Sequence, residues 1–371
     1  MYFLELGGED DAFAAHEARS AAAGVELVAP GLALAGTVSP NRVRGLAYTH
    51  RASELLGRTD ADLESARAVL EAAVLDRSGS VAVRATDQKG SADVDTARAE
   101  RVLGQVLVDR GFTVDLEEPD HVLRAAFAAG KVATAGDDVL EPADSEPPAM
   151  RAESEATATS SEHGSVCALG WLAAESVRDF GSRQPTEKPF FQPGSMDPLL
   201  ARAIANVAGA RPSATVVDPM CGTGGVLVEA GLVGADVLGT DAQWKMVRGA
   251  RENLAHFLDG DPTEESGTSD GTRPGEFALA LADATALPLA DDAVDAVVFD
   301  APYGRQSKIA SHRLEDLVGG ALAEARRVAD RAVVVADRSW AVEARAAGWE
   351  LEAAFERRVH RSLTRYVLVL S

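Results

Sequence analysis

The residues best suited to hold a ligand form a loop from Asp218 to Gly225, with the sequence Asp-Pro-Met-Cys-Gly-Thr-Gly-Gly. Glycines let a backbone approach a ligand closely, although a glycine loop by itself is also a common turn. The dinucleotide pattern Gly-x-Gly-x-x-Gly is broken here, because Leu227 occupies its last position. Asp218 would also repel a pyrophosphate, whereas it would attract a ligand that carries an ammonium and a sulfonium group. The loop therefore favours S-adenosylmethionine over a dinucleotide.

Two further acidic residues complete this predicted cofactor site. Asp241 ends the next predicted strand, where its carboxylate can accept hydrogen bonds from both hydroxyls of a ribose. Asp283 and Ala284 end the strand after that, at a place suited to the adenine amino group. Ligands of such sheets bind at the carboxyl ends of the strands. The residues predicted to bind the cofactor from this reasoning are Asp218, Gly222, Thr223, Gly224, Asp241, Asp283 and Ala284.

The segment Asp300-Ala301-Pro302-Tyr303-Gly304 follows an apolar run and resembles the Asp/Asn-Pro-Pro-aromatic motif of amino-group methyltransferases. An exocyclic amine on a base is a poor nucleophile, because its lone pair is delocalised into the ring. A carboxylate and a rigid backbone carbonyl that accept its two N–H bonds hold the nitrogen with its lone pair towards a methyl donor. Tyr303 can stack on a base that has been flipped out of its stem.

Ala301 departs from that motif, because it stands where the motif has its first proline. The carbonyl of Ala301 remains available, and a residue that precedes a proline is confined to extended geometry in any case. We therefore expect the strand end to keep its shape with slightly less rigidity. The residues predicted to act on the substrate are Asp300, Ala301, Pro302 and Tyr303.

Strand and helix patterns alternate throughout the second half of the chain, as in a doubly wound α/β domain. Apolar runs such as Ala296–Phe299 indicate strands that are buried on both faces, as in a parallel sheet under helices. The predicted strands are 214–218, 236–241, 277–283, 293–300, 332–337, 350–357 and 363–370. The predicted helices are 226–232, 245–257, 314–328 and 340–347.

A polar segment separates this half from an α+β region that precedes it. Residues 136–165 are rich in Pro, Ser, Glu and Thr and bury too little apolar surface to offset the entropy of ordering, so we predict a linker. Within the first region, residues 122–134 predict a hairpin closed at Ala129-Gly130. The predicted domains are an N-terminal element (1–50), an α+β domain (51–135), the linker (136–165) and the doubly wound domain (166–371).

The chain as a whole resembles the archaeal tRNA guanine-10 N2-methyltransferases. In the second half the resemblance rests on Phe190 to Met196, on Asp218 to Gly225 and on Asp300 to Ser307. In the first half it rests on Val81–Arg84 and on Val114 to Asp120, which look like parts of a THUMP domain. Residues 1–50 match only in length and position.

This resemblance implies a ferredoxin-like N-terminal element, a THUMP domain that holds the acceptor end of tRNA, and a Rossmann-fold methyltransferase domain. It implies one or two methyl transfers from S-adenosylmethionine to the N2 amino group of a guanosine. Asp300 would accept the N2 protons and Tyr303 would stack on the guanine, while Met196 would lie against the cofactor. A monomer is expected, because one chain can engage tRNA with both domains.

The composition agrees with a cytoplasmic enzyme but not at first sight with an RNA-binding one. The net charge is -22, and 58 acidic residues face 36 lysines and arginines. A protein that binds phosphates usually presents positive potential. We interpret the acidity as adaptation to a high-salt cytoplasm, where long-range charge is screened. No apolar run approaches a membrane span, no signal peptide is visible, and neither the two cysteines nor the histidines have metal-ligand spacing.

Basic residues collect near the predicted site, and two clusters favour contact with RNA. One is the segment 357–365, a hairpin between the last two predicted strands, and the other follows the Asp300 motif. Structural ion pairing is the alternative for each single residue. The residues predicted to contact RNA are Arg305, Lys308, Arg357, Arg358 and Arg361. Arg365, Arg183, Lys188, Arg124 and Lys89 belong to the same basic inventory.

Several alternatives remain at this point. The chain could methylate another guanosine of tRNA or rRNA, or an amino group in DNA, although a THUMP-like half would have no purpose on DNA. It could be an RNA-binding protein that keeps a methyltransferase fold without the activity, which the acidic residues of the cofactor site argue against. A methyltransferase of small molecules would leave residues 1–135 without a role.

Overall fold

The computed structural model describes residues 1–132, 164–259, 272–302, 311–360 and 363–371. The described residues divide into two compact units, the first made of 1–132 with 164–176 and the second made of the residues from 177 onwards. None of the described helices is both long and apolar enough to cross a membrane.

One eight-stranded sheet, in the order β3-β4-β1-β6-β10-β9-β7-β8, organises the first unit, and β2 and β5 form a separate small pair. The strands are β1 (Tyr2–Leu6), β2 (Ala22–Ala23), β3 (Glu26–Ala29), β4 (Leu32–Ala35), β5 (Thr37–Val38), β6 (Thr49–Thr59), β7 (Ser80–Asp87), β8 (Thr113–Val114), β9 (His121–Gly130) and β10 (Gly164–Glu175). The helices are α1 (Asp11–Ala18), α2 (Pro40–Val43), α3 (Leu63–Ala72) and α4 (Thr96–Asp109).

The sheet of the first unit extends across two of the predicted domain boundaries, the one after residue 50 and the one after residue 165. Strand β6 runs through residue 50 and pairs with β1 on one side and β10 on the other, so residues 1–50 and 51–132 share one sheet. Strand β10 was expected at the start of the second domain, but it pairs with β6 and β9. The predicted hairpin at Ala129-Gly130 is wrong, because the antiparallel partner of β9 is β10.

A buried ion pair also ties these segments together. Glu5 is 2% exposed and its carboxylate accepts two hydrogen bonds of 2.8 Å from the guanidinium of Arg124, which is 5% exposed. Gln88 donates a further hydrogen bond of 3.1 Å to the same carboxylate. Lys89 lies 2.9 Å from Asp11. Arg124 and Lys89, which belonged to the basic inventory, are therefore committed to structural ion pairs.

The second unit contains a seven-stranded sheet in the order β13-β12-β11-β14-β15-β17-β16, parallel except for β17, which runs antiparallel to both neighbours. Helices α5, α6 and α7 pack on one another in turn, and α8 packs on α9. The strands are β11 (Thr215–Asp218), β12 (Asp236–Asp241), β13 (Phe277–Leu281), β14 (Ala296–Asp300), β15 (Ala332–Ala336), β16 (Leu351–His360) and β17 (Leu363–Leu370). The helices are α5 (Pro198–Ala208), α6 (Gly225–Leu232), α7 (Trp244–Leu258), α8 (Ser311–Val328) and α9 (Ala341–Ala346).

The doubly wound fold expected for this unit is confirmed, and its strand order brings the acidic residues together. The first strand of the sheet, β11, lies between β12 and β14 and is parallel to both. Chain order therefore reverses at β11, which makes this edge the point where ligands of open α/β sheets bind. Asp218, Asp241 and Asp300 are the last residues of β11, β12 and β14. All three carboxylates consequently stand at one edge of the sheet.

Candidate active site

A cavity of about 220 Å³ opens at this edge of the second unit. Five of the residues predicted from sequence line it, four from the cofactor set and one from the substrate set. The remaining lining comes from the segment before α5, from the loop after β11, from the start of α6 and from α7. The predicted residues in the lining are Met196, Asp218, Gly222, Thr223 and Asp300.

The loop after β11 owes its shape to two glycines with positive φ. Gly222 has φ +53° and Gly224 has φ +74°, values that side chains rarely allow. Gly224 is the N-cap of α6, and its amide donates a 2.7 Å hydrogen bond to the carbonyl of Cys221. A Cβ on Gly222 would meet nothing within 4 Å, so conformation alone requires glycine there.

Asp218 is buried next to other acidic groups. It is 3% exposed, and its Oδ1 accepts a 3.0 Å hydrogen bond from the amide of Met220. Burial raises the pKa of Asp218 well above its ordinary value, and the charges of Asp300 and Asp241 raise it further. A cation in the cavity would offset these carboxylates. These carboxylates therefore fit a ligand that carries an ammonium and a sulfonium group, as S-adenosylmethionine does.

Asp241 joins the end of β12 to the glycine loop. Its Oδ2 accepts a 3.1 Å hydrogen bond from the amide of Gly222, and its Oδ1 accepts a 2.8 Å bond from the amide of Gln243. Burial raises the pKa of Asp241. Each carboxylate oxygen has two acceptor positions, so these backbone bonds leave room for the hydroxyls of a ribose.

The predicted adenine contacts, Asp283 and Ala284, are not among the residues that line the cavity. Oδ1 of Asp283 accepts hydrogen bonds from the amide (2.9 Å) and the hydroxyl (2.8 Å) of Thr285. These bonds lower the pKa of Asp283. Ala284 is 5% exposed, and Asp283 forms an isolated bridge with Ala286. The role of Asp283 and Ala284 at an adenine remains a prediction.

The segment 190–196 is fixed by a residue that the sequence did not single out. Asn253 of α7 is fully buried, accepts a 2.8 Å hydrogen bond from the amide of Phe190 and donates one of 2.9 Å to its carbonyl. The Asn253 amide also donates a 2.8 Å bond to the carbonyl of Thr223. Gly249, one turn earlier, leaves space for Phe190, whose ring would lie 2.1 Å from an added Cβ. Only tertiary contacts reveal this role.

A second contact joins the same two segments on the cavity side. The hydroxyl of Ser195 lies 3.2 Å from that of Thr223 and donates a 2.8 Å hydrogen bond to the carbonyl of Gln192. Met196, predicted to lie against the cofactor, is 5% exposed and lines the cavity directly after this serine.

The carboxyl end of β14 presents the predicted acceptor. The side chain of Asp300 is 25% exposed, and the amide of Ala301 donates a 2.8 Å hydrogen bond to the carbonyl of Val335 on β15. Ala301 itself is 2% exposed, so the alanine that replaces the motif's proline is packed in the domain core. Of the other predicted site residues, Tyr303, Arg305, Lys308 and Arg361 lie outside the described residues.

The basic residues of the last two strands divide into an inner and an outer set. Arg358 is exposed on β16, and Arg357 of the same strand is half-buried opposite Arg365. Arg365 is 5% exposed, and its Nη2 lies 3.9 Å from Oδ2 of Asp300. Sequence reasoning placed Arg365 in the basic hairpin but did not connect it with Asp300.

Arg183, another member of the basic inventory, is an internal residue. Its Nε lies 2.7 Å from Oε1 of the fully buried Glu229, and Arg202 lies 2.8 Å from the other carboxylate oxygen. Lys188 is 5% exposed, and its Nζ has no hydrogen-bond partner among the described residues. Burial lowers the pKa of Lys188, and Glu229 opposes that effect. Because Glu229 belongs to α6 and Arg202 to α5, these buried ion pairs connect the two helices.

Comparison with known proteins finds similarity to a methyltransferase domain and to RNA methyltransferases. Residues 185–367 match the model of the UPF0020 family, described as an RMKL-like methyltransferase domain. The chain is 37% identical over 206 residues to a tRNA (guanine(10)-N2)-dimethyltransferase of Methanothermobacter thermautotrophicus, covering 54% of this chain and 56% of that protein. It is 30% identical over 198 residues to the enzyme of the same name from Pyrococcus abyssi, covering 52% of this chain and 55% of that protein.

A third relative acts on a different RNA. The U6 snRNA (guanine-N(2))-methyltransferase of Mus musculus is 30% identical over 124 residues, which cover 33% of this chain and 21% of that protein. The chain thus spans a little more than half the length of the two archaeal relatives and far less of the mouse protein. The match to the UPF0020 family model covers residues 185–367, which are just under half of the chain.

Proposed function

We propose that this protein transfers one or two methyl groups from S-adenosylmethionine to the N2 amino group of a guanosine in tRNA, at position 10. The observation that carries the proposal is that Asp300, the predicted amine acceptor, lines the same cavity as Asp218 and the glycine loop. A donor held by the loop and an amine held by Asp300 would meet there. The names of the archaeal relatives support the guanosine and the tRNA.

The predicted cofactor residues fit distinct parts of the cofactor, and Met196, Asp218, Gly222 and Thr223 among them line the cavity. Asp218 would face its ammonium and sulfonium charges, Asp241 its ribose, and Asp283 with Ala284 its adenine. Gly222, Thr223 and Gly224 shape the loop around it, and Met196 closes the side formed by the segment before α5. When bound, S-adenosylmethionine supplies an electrophilic methyl group.

Asp300 and the carbonyl of Ala301 would accept the two N–H bonds of the guanine N2 amine. Holding the amine in this way aims its lone pair at the methyl donor, which is catalysis by positioning and by electrostatic stabilisation. On accepting the methyl group that bound S-adenosylmethionine would supply, the nitrogen would become positively charged. One of its protons then passes to Asp300 or to water. Pro302 keeps this strand end extended, and Tyr303 would stack on the guanine.

RNA contact is assigned to the basic residues around this edge of the sheet. Arg357 and Arg358 on β16, together with Arg361, Arg305 and Lys308, would face phosphates of the bound RNA. We further propose that residues 51–132 form a THUMP domain that holds the acceptor end of tRNA. The protein would act as a cytoplasmic monomer, and its charge of -22 would reflect adaptation to high salt.

A guanosine of another structured RNA is the second candidate. It is favoured by the similarity to the mouse enzyme, which is named for U6 snRNA. The chemistry at Asp300 would be unchanged, and only the RNA-binding surface would differ. The alternative of an RNA-binding protein without activity predicts cofactor-independent binding and no transfer.

Labelled S-adenosylmethionine and unmodified tRNA, incubated with the protein in potassium chloride at molar concentration, test the proposal. Nucleoside analysis should find N2-methylguanosine or N2,N2-dimethylguanosine. Small nuclear and ribosomal RNA serve as parallel substrates in the same buffer. Label in either of these but not in tRNA would move the proposal to the second candidate. Absence of label from every RNA, with the cofactor bound, would contradict the proposed activity.

A further inference from the structure

The side chain of Arg365 reaches the predicted amine acceptor from the end of the segment 357–365, for which the sequence favours RNA contact. Arg365 lies near the start of β17, where its neighbour Tyr366 pairs with Ala336 at the end of β15. From there its guanidinium comes within 3.9 Å of Oδ2 of Asp300. The Arg365 side chain is 6% exposed, whereas that of Asp300 is 25% exposed. The guanidinium is therefore buried behind a carboxylate that faces the cavity.

The separation of the two groups defines the kind of interaction. At 3.9 Å a nitrogen and an oxygen attract each other by charge but are too far apart for a hydrogen bond. This pair therefore occupies none of the acceptor positions of the Asp300 carboxylate. An arginine suits such a place because it stays protonated under all ordinary conditions.

Among the described residues, two further carboxylates end strands of the same sheet edge as Asp300. The charge of Asp300 raises the pKa of Asp218 on β11, so these two carboxylates repel each other, and the charge of Asp241 on β12 also acts on Asp218. Asp337 follows β15 at the same edge, and Arg357 of β16 lies opposite Arg365. Carboxylates grouped in this way favour protonation, which would remove the acceptor that the amine requires.

We propose that Arg365 is a positioning residue that keeps the carboxylate of Asp300 ionised and oriented for the amine of the substrate. The inference rests on the proposed function for the identity of that amine, but the charge coupling of Arg365 to Asp300 does not depend on it. Replacing the guanidinium by a neutral group makes the ionised Asp300 harder to maintain. The acid limb of the activity then moves to higher pH.

The test measures the titration of Asp300 directly, in protein that carries carbon-13 in its aspartate carboxyl groups. The Asp300 resonance is the one lost in the Asp300→Asn variant. Arg365→Gln should raise the titration midpoint by about one pH unit, as the loss of an opposite charge nearby does. Arg365→Lys should leave it close to that of the wild type. Arg331→Gln is the control, because Arg331 pairs with Glu352 at the opposite end of β15.

Arg365→Met is a second neutral variant, which fills the buried volume with an apolar chain in case the glutamine variant is poorly folded. Equal midpoints in the wild type and in a folded neutral variant would overturn the inference. The acid limb of the kcat/KM profile for RNA methylation should shift together with the NMR midpoint. At a fixed pH below that limb, the neutral variant should then react about tenfold more slowly than the wild type. If the wild type methylates no RNA, the proposed function fails, while the NMR titration still decides whether Arg365 controls Asp300.

Discussion

The side chain of Asn253 bonds the backbone of Phe190 in both directions, with 2.8 Å from the Phe190 amide to Oδ1 and 2.9 Å from Nδ2 to the Phe190 carbonyl. The same Nδ2 reaches the carbonyl of Thr223 at 2.8 Å. One buried amide thus joins helix α7, the segment before α5 and the glycine loop. Both segments line the cavity, so the position of its walls depends on this asparagine.

Replacing Asn253 by leucine should weaken both the fold and the cofactor site. The change keeps the approximate volume but leaves three backbone groups, two in partly buried bonds and one in a buried bond, without this partner, which costs about 2–3 kcal/mol of unfolding free energy. Calorimetry should show a loss of at least tenfold in S-adenosylmethionine affinity. Glu252→Gln, at an exposed position of the same helix, is the control and should change neither value. Wild-type affinity in the leucine variant would contradict this role of Asn253.

Two helical glycines offer a matched comparison. Gly249 of α7 faces the ring of Phe190, with 2.1 Å between the added Cβ and that ring, whereas a Cβ on Gly319 of α8 would meet nothing within 4 Å. Gly249→Ala should displace Phe190 and lower both the unfolding temperature and the cofactor affinity. Gly319→Ala should stabilise by about 0.5–1 kcal/mol, since alanine is the better helix former. Equal effects of both substitutions in thermal unfolding would show that Phe190 is not held against Gly249.

Asp218 should stabilise the bound cofactor, whereas its buried charge should destabilise the unliganded protein. The pKa of Asp218 is raised in the folded protein. Between the ordinary aspartate pKa and this raised pKa, the folded state therefore binds more protons than the unfolded state. The free energy of unfolding falls as pH rises through this range. Asp218→Asn should therefore raise the stability of the unliganded protein by on the order of 1 kcal/mol.

The same substitution should lower S-adenosylmethionine affinity by tenfold or more, because the cation loses its closest buried carboxylate. In the wild type, affinity should rise with pH over the range in which Asp218 and Asp241 ionise, both of which have a raised pKa. Calorimetric titrations across pH measure both effects. A variant that binds the cofactor as the wild type does would remove Asp218 from the site.

Reversing the outer charges of β16 should weaken RNA binding without a change in cofactor affinity. The variant Arg357→Glu with Arg358→Glu loses two positive charges and gains two negative ones near the proposed RNA path. Binding measured by fluorescence anisotropy should fall by tenfold or more, and its salt dependence should become shallower. The control is the double reversal of Arg326 and Arg331, which lie before β15 at the other end of the sheet. Equal losses in both variants would indicate a nonspecific charge effect.

The parallel core of the second unit was predictable from sequence because its signals are local. Strands β12 and β17 begin and end at the predicted residues, since each is an apolar run bounded by polar or small residues. The carboxylates Asp218, Asp241 and Asp300 follow from the rule that ligands bind at the carboxyl ends of such strands. Their shared edge then results from the strand order alone.

What the sequence did not predict depends on contacts between distant residues. Strand β10 has an unremarkable apolar pattern, and only pairing with β6 and β9 assigns it to the first unit. Asn253 lies in a correctly predicted helix, but nothing local distinguishes a buried asparagine that bonds Phe190. Arg365 looked like one of several basic residues in a hairpin until the packing of β17 on β15 turned it towards Asp300.

Inosine at position 10 removes the proposed methyl acceptor, the N2 amino group of guanosine 10. Inosine keeps the purine ring and the O6 of guanine but lacks the N2 amine. We would compare methyl transfer into a tRNA transcript with guanosine at position 10 and into the same transcript with inosine there. We expect label in the first transcript, recovered as N2-methylated guanosine, and none in the second. Equal incorporation into both transcripts would contradict the proposed acceptor.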